Sequence, residues 1–400
     1  MRSAFIIVLI CIFSVVAAQD TTVVKKERKI SFIPLPVIAS TPATGFMYGV
    51  APSASWYMGD KSNTRISSAL GTIIYTTKKQ LILTLKSNTY LSSDSWILLT
   101  DIRYFITSQP TYGLGTGPAN LLPMQHGLQY TQGSTSPLVT GEQMMEFNYF
   151  RFHETVLKRV NNSSFYAGIG LHYDYHFKIK DNLLNPPDSI TSHYAYSKIL
   201  GFNPEKYTTS GLSFNGMYDS RDNAINPYSG RYAFVNFRYN PEFMGSSKNS
   251  SILWYEYRDY LNVNKDRPRH LIGFWTYGWF VSSGDVPYLD LPGVGWDQFG
   301  RSGRAYAQGR FRGEDMLYGE VEYRMPLQKN KDTFGAVLFV NSTSASNRLG
   351  GVNIADSFDF GVGAGLRIMV DKSSRANLAI DFAVGEHGES GFYLGINEVF

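Results

Sequence analysis

Hydrophobic and polar residues alternate with a period of two along most of the chain after residue 30. In QLILTLKSNTY (80–90), leucines and polar residues fall on opposite faces: Leu81, Leu83 and Leu85 against Thr84, Lys86 and Asn88. In FYAGIGLHYDYHF (165–177), aromatic residues face away from charged and imidazole groups: Tyr173, Tyr175 and Phe177 against His172, Asp174 and His176. Because side chains on a strand point alternately to opposite faces, the pattern predicts strands with one apolar and one polar face.

Segments of this kind recur about sixteen times, and the connections between them differ in length. They start near residues 30, 45, 64, 79, 95, 142, 163, 207, 229, 251, 268, 314, 332, 356, 373 and 389. Long connections follow odd-numbered segments, at 109–141, 179–206, 282–313 and 343–355. Short, turn-like connections follow even-numbered segments, at 92–95, 161–163, 264–267, 328–332 and 371–374. This asymmetry is typical of a transmembrane β-barrel, in which brief periplasmic turns alternate with longer outer loops.

Strands that span a membrane must form a sheet that closes into a barrel. In hydrocarbon every backbone N–H and C=O group must be paired internally, and a closed barrel has no unpaired edge. A soluble β-sandwich, the alternative, would not need the alternation of long and short connections. We therefore predict an all-β fold over residues 30–400: a transmembrane antiparallel β-barrel of about sixteen strands in a bacterial outer membrane.

The N-terminus has the features of a secretory signal peptide. Arg2 supplies the positive end, an apolar run extends from residue 5 to 16, and small residues at 17 and 18 favour cleavage before Gln19. Cys11, the only cysteine, lies within this run, so the mature chain is expected to contain none. Beyond Gln19 no stretch reaches the roughly 18 consecutive apolar residues of a spanning helix. We expect a signal peptide at 1–18 and a short periplasmic tail at 19–29.

Composition and charge narrow the candidate functions. Charged residues make up 18% of the chain, and the mild net charge of +4 implies no nucleic-acid partner. Neighbouring members of the set His172, Asp174 and His176 lie about 7 Å apart along one strand, too far for all three to bind one small ion. The sequence contains no phosphate-loop motif and no nucleophile-elbow motif, so we expect that the protein binds no cofactor or metal and is not an enzyme. A lipid-hydrolysing barrel stays open as the alternative.

Two stretches resemble the bacterial surface antigen family, the BamA/TamA-type barrels of outer-membrane assembly. YDSRDNAINPYSGRYAFVNFRY (218–239) is similar to the family's D-x-R-D…P-x-x-G hairpin, through the residues Asp219, Arg221, Asp222, Pro227 and Gly230. GRAYAQGRFRGEDMLYGEVEYRMPL (303–327) is similar to its sixth outer loop and the strand that follows. The closing strands complete a resemblance that covers about residues 205–400.

The resemblance implies that the sixth outer loop folds back into the barrel lumen as a plug. Arg304 matches the family's loop arginine and Tyr306 its aromatic residue, while Ala305 stands where the family has glycine. Glu322, on the twelfth predicted strand, matches the acidic partner. On the thirteenth, Asn341 stands where a second acid is expected; it can accept a hydrogen bond but brings no charge, so we expect a weaker network. The alternative is that all these residues are hydrated polar groups of the lumen.

The two ends of the predicted barrel bear on its closure. GFYLGINEVF (391–400) places Phe392, Leu394, Ile396 and Phe400 on one face, and the resemblance implies that a strand ending on Phe400 is read by the barrel-assembly machinery. Prolines lie in or beside the first strand, at Pro34, Pro36 and Pro42. Proline cannot donate to a sheet ladder. The cluster therefore indicates either a weak seam between first and last strands or an ordinary edge-strand feature.

The resemblance also implies a function. Full members of the family carry periplasmic POTRA modules before the barrel, and the tail at 19–29 is too short to be one. We expect a POTRA-less barrel that aids insertion or export of proteins or lipids at the outer membrane; a structural barrel or passive pore is the alternative. The partners implied are phospholipid and lipopolysaccharide, with outer-membrane protein clients or accessory lipoproteins.

Overall fold

The computed structural model describes residues 30–41, 45–117, 128–131, 134–298, 300–329 and 331–400. The predicted signal peptide (1–18) and tail (19–29), like Pro42, lie outside these ranges. Eighteen strands are present in the described part: β1 (Ser31–Thr41), β2 (Gly45–Trp56), β3 (Ser67–Thr76), β4 (Leu81–Tyr90), β5 (Trp96–Thr111), β6 (Leu128–Thr131), β7 (Ser134–Ser136), β8 (Gln143–Arg159), β9 (Phe165–Asp181), β10 (Lys206–Asp219), β11 (Gly230–Asn240), β12 (Ser250–Asn262), β13 (Leu271–Gly284), β14 (Asp315–Pro326), β15 (Phe334–Ala345), β16 (Asp359–Asp371), β17 (Ala376–Gly385) and β18 (Ser390–Ile396).

In the part of the chain that the structure describes, helical segments are few and lie in the connections. One α-helix, α1 (Ser192–Ile199), follows β9, and Thr191 caps its N-terminus by accepting a hydrogen bond from Tyr194 N. Single 3₁₀ turns occur at Ser92–Asp94, Glu242–Met244, Tyr288–Asp290 and Glu386–Gly388. Within the described ranges no helix is long and apolar enough to cross a membrane.

Sixteen strands form one antiparallel sheet in chain order, and β6 and β7 form a separate hairpin between β5 and β8. Each of the sixteen begins within three residues of its predicted start, so the predicted all-β fold is confirmed. The twelfth and thirteenth predicted strands are β14 and β15. We call the end with the short turns, Ser31 and Ile396 the inner end, and the end with the long connections the outer end.

The two edge strands of the sheet, β1 and β18, are not joined by a ladder in the part of the chain that the structure describes. Pro34 and Pro36 of β1 pair with Pro52 and Val50 of β2 on the other side. At the inner end, Ser31 Oγ donates to Asp371 Oδ2 of β16 at 3.2 Å. The start of β1 is therefore tied to the end of β16.

The sheet is polar on the face that lines the lumen, which we call the inner face, and apolar on the opposite face, which we call the outer face. Large hydrophobic side chains on the outer face are exposed, with Phe214 71% and Ile169 62% exposed. Charged side chains on the inner face are buried, and Asp174 and Glu322 are 2% and 0% exposed. A water-soluble protein buries its apolar groups and exposes its charges. The opposite arrangement fits a barrel wall that contacts lipid outside and a polar lumen inside.

Apolar residues from three long connections pack together over the outer end. Their core contains Leu114, Ile190, Ala195, Tyr196, Phe202, Val286, Tyr288, Leu289 and Trp296, with Phe147 and Tyr207 from the wall. Hydroxyl groups tie the connections to the wall and to each other: Thr111, at the end of β5, shares a hydrogen bond of 2.7 Å with Tyr288, and Tyr196 Oη donates to Val286 O at 3.0 Å. We call this packed layer the outer cap.

Turns at the inner end make contacts between distant parts of the sheet. The turn 220–229, between β10 and β11, contacts the turn 372–375, between β16 and β17. Arg375 Nη1 lies 2.7 Å from Asp222 Oδ2, and Asn226 Nδ2 donates to Arg375 O at 3.2 Å. From the turn 57–66, Arg65 Nη1 lies 2.8 Å from Asp219 Oδ2. The turn 220–229 therefore bridges the inner opening.

Candidate functional site

The connection between β13 and β14, residues 285–314, enters the lumen and is called loop 6. On one wall Arg103 of β5 holds it, since Nη2 donates to the carbonyl oxygens of Asp297 (3.1 Å) and Gln298 (2.9 Å). Asp101 fixes this guanidinium by accepting from Nε at 2.8 Å and from Nη2 at 2.6 Å. Asp297 Oδ1 in turn accepts from the backbone N–H and the hydroxyl of Ser302, at 2.9 and 2.7 Å. The loop is thus folded on itself before it reaches Arg304.

Arg304 pairs with three carboxylates on another part of the wall. Its Nη2 lies 2.5 Å from Glu320 Oε1 and 2.5 Å from Glu322 Oε1 on β14, and its Nη1 lies 2.9 Å from Asp381 Oδ2 on β17. The guanidinium carbon lies 3.4 Å from the ring centroid of Phe339 on β15. Planar delocalised charge suits both bidentate pairing and stacking on a ring. Loop 6 is therefore anchored to three strands by one side chain.

A second layer of groups supports these carboxylates. Tyr318 Oη donates to Glu320 Oε2 at 2.5 Å, Arg324 Nε to Glu322 Oε2 at 2.7 Å, and Arg367 Nη1 to Asp381 Oδ1 at 2.5 Å. All these carboxylates are at most 3% exposed. Burial lowers the pKa of Arg304, but the surrounding carboxylates raise it above its ordinary value, so the guanidinium stays charged. Charge-assisted bonds of this kind are stronger than neutral ones.

The position of Asn341 corrects the expectation of a weak network. Glu322 does lie against Arg304, but Asn341 Nδ2 donates to the Arg304 carbonyl oxygen at 2.9 Å and does not accept from the guanidinium. The additional acids are Glu320 on the same strand and Asp381 two strands beyond Asn341. Asp381 had a sequence signal: in NLAIDFAVG (377–385) it is the one charged residue of an apolar strand.

Tyr306 and Ala305 shape the tip of loop 6. The Tyr306 hydroxyl donates to Phe360 O and accepts from Glu386 N at 3.1 Å. Its ring lies over Gly385, where an added Cβ would stand 2.7 Å from the ring. Ala305 has a φ of +109° and donates its N–H to Tyr393 Oη at 2.9 Å. Alanine therefore occupies a backbone conformation that favours glycine.

The hairpin motif builds the turn at the inner end. Asp219, which is fully buried, accepts from Arg221 Nε and Nη2, both at 2.9 Å. Asp222 Oδ1 accepts from the backbone N–H groups of Tyr228 at 2.9 Å and Ser229 at 3.2 Å. Pro227 is buried in the turn. Gly230 has a φ of +95°, and a Cβ there would lie 2.3 Å from Ser220 O.

Phe400 does not share the face of Phe392 and Leu394, although the alternation predicted that it would. Phe392 and Leu394 are exposed on the outer face as expected, but Ile396 and Phe400 are 4% and 3% exposed. The Phe400 ring packs against Trp275 of β13, on the same inner face as the Arg304 carboxylates. The period-two pattern ends at Ile396, where the chain leaves the sheet.

The lumen holds a second ion cluster, which sequence reasoning missed. Asp174 of β9 accepts from Arg151 Nε at 2.7 Å and Arg238 Nη1 at 2.8 Å, and lies 2.7 Å from His153 Nε2. The alternation on each strand accounts for the lumen-facing position of each of these partners. Their approach to Asp174 depends on the register between the strands. His172 instead contacts Ser213 Oγ at 2.7 Å. In the described ranges no group of three or more His, Cys, Asp or Glu side chains is placed to hold a metal.

Comparison with known proteins gives one family and solved structures that resemble this chain. A model of the Omp85 superfamily domain matches residues 150–400. BamA from Haemophilus ducreyi lacking POTRA domains 1-3 is similar with a TM-score of 0.56 and 14% identity, covering 92% of this chain and 69% of that chain. CdiB from Acinetobacter baumannii has a TM-score of 0.49 and 12% identity, covering 92% of this chain and 65% of that chain, slightly under two thirds. No curated protein sequence matches. At 14% identity the likeness to BamA is one of fold.

Proposed function

The chain belongs to the Omp85 superfamily and has the fold of a bacterial outer-membrane β-barrel, and from this premise we propose that it aids the insertion or export of proteins, or the handling of lipids, at the outer membrane. Loop 6 acts as the plug that keeps the lumen closed. The seam between β1 and β18 is where the wall opens. The proposal assigns no catalytic step to the barrel.

The proposal rests on the two edge strands, β1 and β18, which are not joined to each other. No ladder connects β1 and β18 directly in the described residues. The two strands are connected only through the other strands of the sheet, each of which pairs with both of its neighbours. Two prolines, Pro34 and Pro36, lie within β1 and remove backbone donors from it. An edge strand with free N–H and C=O groups is a template for pairing with another chain. A client strand, added edge to edge, would use this template.

A passive pore is the less favoured function. The outer cap covers one end, loop 6 crosses the lumen between Arg103 and the Arg304 carboxylates, and the turn 220–229 bridges the other end. A solute would have to displace buried ion pairs to pass.

The partners we propose are lipid of both leaflets and protein clients, with an accessory lipoprotein to recruit them.

A folding assay tests the proposal. The purified barrel is reconstituted in liposomes, and a small urea-unfolded outer-membrane barrel is added as client. Its folding is followed by the faster migration of the folded form in unheated gel samples. We expect the barrel to accelerate client folding. A disulfide across the seam, found by scanning cysteine at Phe32 and Ile33 against Leu394 and Gly395, which lie toward the same inner end, should abolish the acceleration, and reduction should restore it.

A matched disulfide provides the control. Ala54 of β2 and Ala69 of β3 are paired neighbours in the sheet, so a disulfide there locks strands that are already joined and should leave client folding unaffected. Equal acceleration with the seam locked and unlocked would show that the wall does not open there. No acceleration by any form, together with rapid sugar entry in a liposome-swelling assay, would favour the passive pore.

A further inference from the structure

The four residues after β18 turn away from the wall and into the lumen. We call Asn397–Phe400 the terminal segment. Asn397 has a φ of +68°, a left-handed conformation that asparagine tolerates, and its N–H donates to Asn377 O at 2.7 Å. Beyond this reversal Glu398, Val399 and Phe400 are 4%, 8% and 3% exposed. The segment is therefore packed, although it belongs to no strand.

Phe400 occupies an aromatic pocket on the inner face. Its ring centroid lies 5.5 Å from that of Trp275 and 6.2 Å from that of Tyr260. The Arg324 guanidinium lies 4.9 Å from the ring, and its Nη2 donates to Phe400 O at 2.9 Å. Gly273 leaves the space for the ring, since a Cβ there would lie 3.1 Å from Phe400 Cε2. The pocket fits the segment through both ring and backbone.

Loop 6 grips the same segment through Arg301. Its Nη2 donates to Ile396 O at 2.7 Å and its Nη1 donates to Glu398 O. The Glu398 carboxylate is held separately, because Oε2 accepts from Arg367 Nε at 2.7 Å and Oε1 accepts from Asn377 Nδ2 at 2.6 Å. Arg301 lies three residues before Arg304. The loop that carries the plug arginine therefore also binds the end of the last barrel strand.

We propose that Arg301 is a positioning residue that couples loop 6 to the end of β18, so that the plug and the terminal segment leave the lumen together. One guanidinium bridges two carbonyl groups on either side of the reversal at Asn397, which a single ammonium group cannot do equally well. Withdrawal of loop 6 removes both bonds. The terminal segment can then leave its pocket and extend β18 at the inner end.

This coupling would place the seam under the control of the plug. With the terminal segment inside, Ser31 of β1 contacts Asp371 of β16 at the inner end, and Asp371 also accepts from Ser374 Oγ at 2.7 Å. An extended β18 would offer β1 a strand partner in place of that contact. The inference rests on the proposed function for this consequence alone, because the coupling itself is measured on the purified barrel without a client.

Accessibility of a cysteine at position 399 tests the coupling. Since the only natural cysteine lies in the predicted signal peptide, Val399→Cys gives a single reporter in the mature barrel. Reaction with a water-soluble maleimide is timed in nanodiscs, and the faster gel migration of unheated samples shows that each variant is folded. We expect slow labelling of the parent, at least tenfold faster labelling in Arg301→Ala and Arg304→Ala, and an intermediate rate in Arg301→Lys.

The matched control is Arg310→Ala. Arg310 lies in the same loop, is 6% exposed and pairs with Glu389 beyond β17, but has no bond to the terminal segment among the described contacts. Labelling at position 399 should stay at the parent rate. Folded Arg301→Ala labelling at the parent rate would overturn the coupling, as would Arg304→Ala labelling that rises at a Ser302→Cys reporter in loop 6 but not at position 399.

A reciprocal arm keeps the test valid if Arg301→Ala does not fold. Coupling between two sites is reciprocal in free energy, so release of the terminal segment must also loosen loop 6. Phe400→Ala empties the aromatic pocket and changes no residue of loop 6. We expect it to raise labelling of the buried Ser302→Cys reporter severalfold. An unchanged rate at position 302, with position 399 exposed, would show that the two segments move independently.

Discussion

Arg304 is the residue on which the closed lumen depends most. It is 3% exposed and faces three carboxylates that are themselves buried. A buried ion pair adds little net stability over an apolar contact, because desolvation of the charges offsets their attraction. Removing one partner is different, since it leaves buried charge without compensation. The cluster therefore specifies where loop 6 lies more than it stabilises the barrel.

Arg304→Ala should destabilise the folded barrel. Glu322 would keep Arg324 and Asp381 would keep Arg367, whereas Glu320 would keep the Tyr318 hydroxyl. All three would lose the central cation, and we expect a loss of about 3 kcal/mol in the free energy of unfolding. Guanidinium titration of the barrel in micelles, followed by tryptophan fluorescence, measures the change. The control is Arg231→Ala, an exposed pair with Asp259, expected to cost under about 1 kcal/mol. Equal losses would mean that water screens the lumen cluster.

Ala305→Gly should stabilise the barrel. The φ of +109° at Ala305 is one that glycine adopts without strain, and a residue held in such a region costs on the order of 1–3 kcal/mol. We expect a gain of about 1 kcal/mol in the same titration. Ala307→Gly, in the same loop and without a positive φ, is the control and should give no gain. A loss at position 305 would show that the alanine methyl group makes a contact worth more than the strain.

Sequence reasoning located part of this site. Arg304, Tyr306 and Glu322 could be found because the short motifs that contain them, GRAY and EYR, match those of the family that the sequence resembles. Arg103 and Asp381 were missed, because each meets loop 6 through the order and register of the sheet. Asp381 stands out as the one charged residue of its strand, but the sequence near it does not indicate its partner. Phe400 was misplaced for a local reason: alternation predicts a face only while the strand continues, and the left-handed turn at Asn397 ends it.

Among the elements, the strands and the positions of the short turns were predictable, but the contacts that the turns make with each other were not. In each of the sixteen strands, apolar residues that face lipid alternate with polar residues that face the lumen, and this alternation identifies the strand in the sequence. A shift of one residue would expose polar groups to hydrocarbon. The turn 220–229 has no such periodicity. Its shape depends on Asp219 and Asp222, and its position depends on contacts with the turns 57–66 and 372–375, which lie about 150 residues away in the chain.

The two aspartates of this turn should differ in their contribution. Asp219→Ala leaves Arg65 and Arg221 without their shared buried carboxylate, and we expect a loss of about 3 kcal/mol in unfolding free energy. Asp222 is 31% exposed, as a side chain, in its pair with Arg375, so Asp222→Ala should cost about 1 kcal/mol through its two backbone bonds. Guanidinium titration compares them directly. A larger loss at Asp222 would mean that the bridge across the opening outweighs the buried pair.

At the scale of the whole molecule, the barrel is closed by three layers built from different connections. The outer cap is apolar, the middle layer consists of loop 6 between two ion clusters, and the inner layer is a set of turns joined by ion pairs. Chain order alone indicated the barrel, through long and short connections. It could not indicate that the connections meet one another, because those contacts depend on the curvature of the sheet, which brings distant loops together.

Single-channel current across a planar bilayer tests the plugged lumen most directly. The wild-type barrel should give small, flickering currents, because loop 6 and its ion pairs fill the path between the two ends. Arg304→Ala should give larger and longer openings, since the loop loses its anchor to β14 and β17, while Arg231→Ala should resemble the wild type. A large, steady current through the wild-type barrel would contradict the plug.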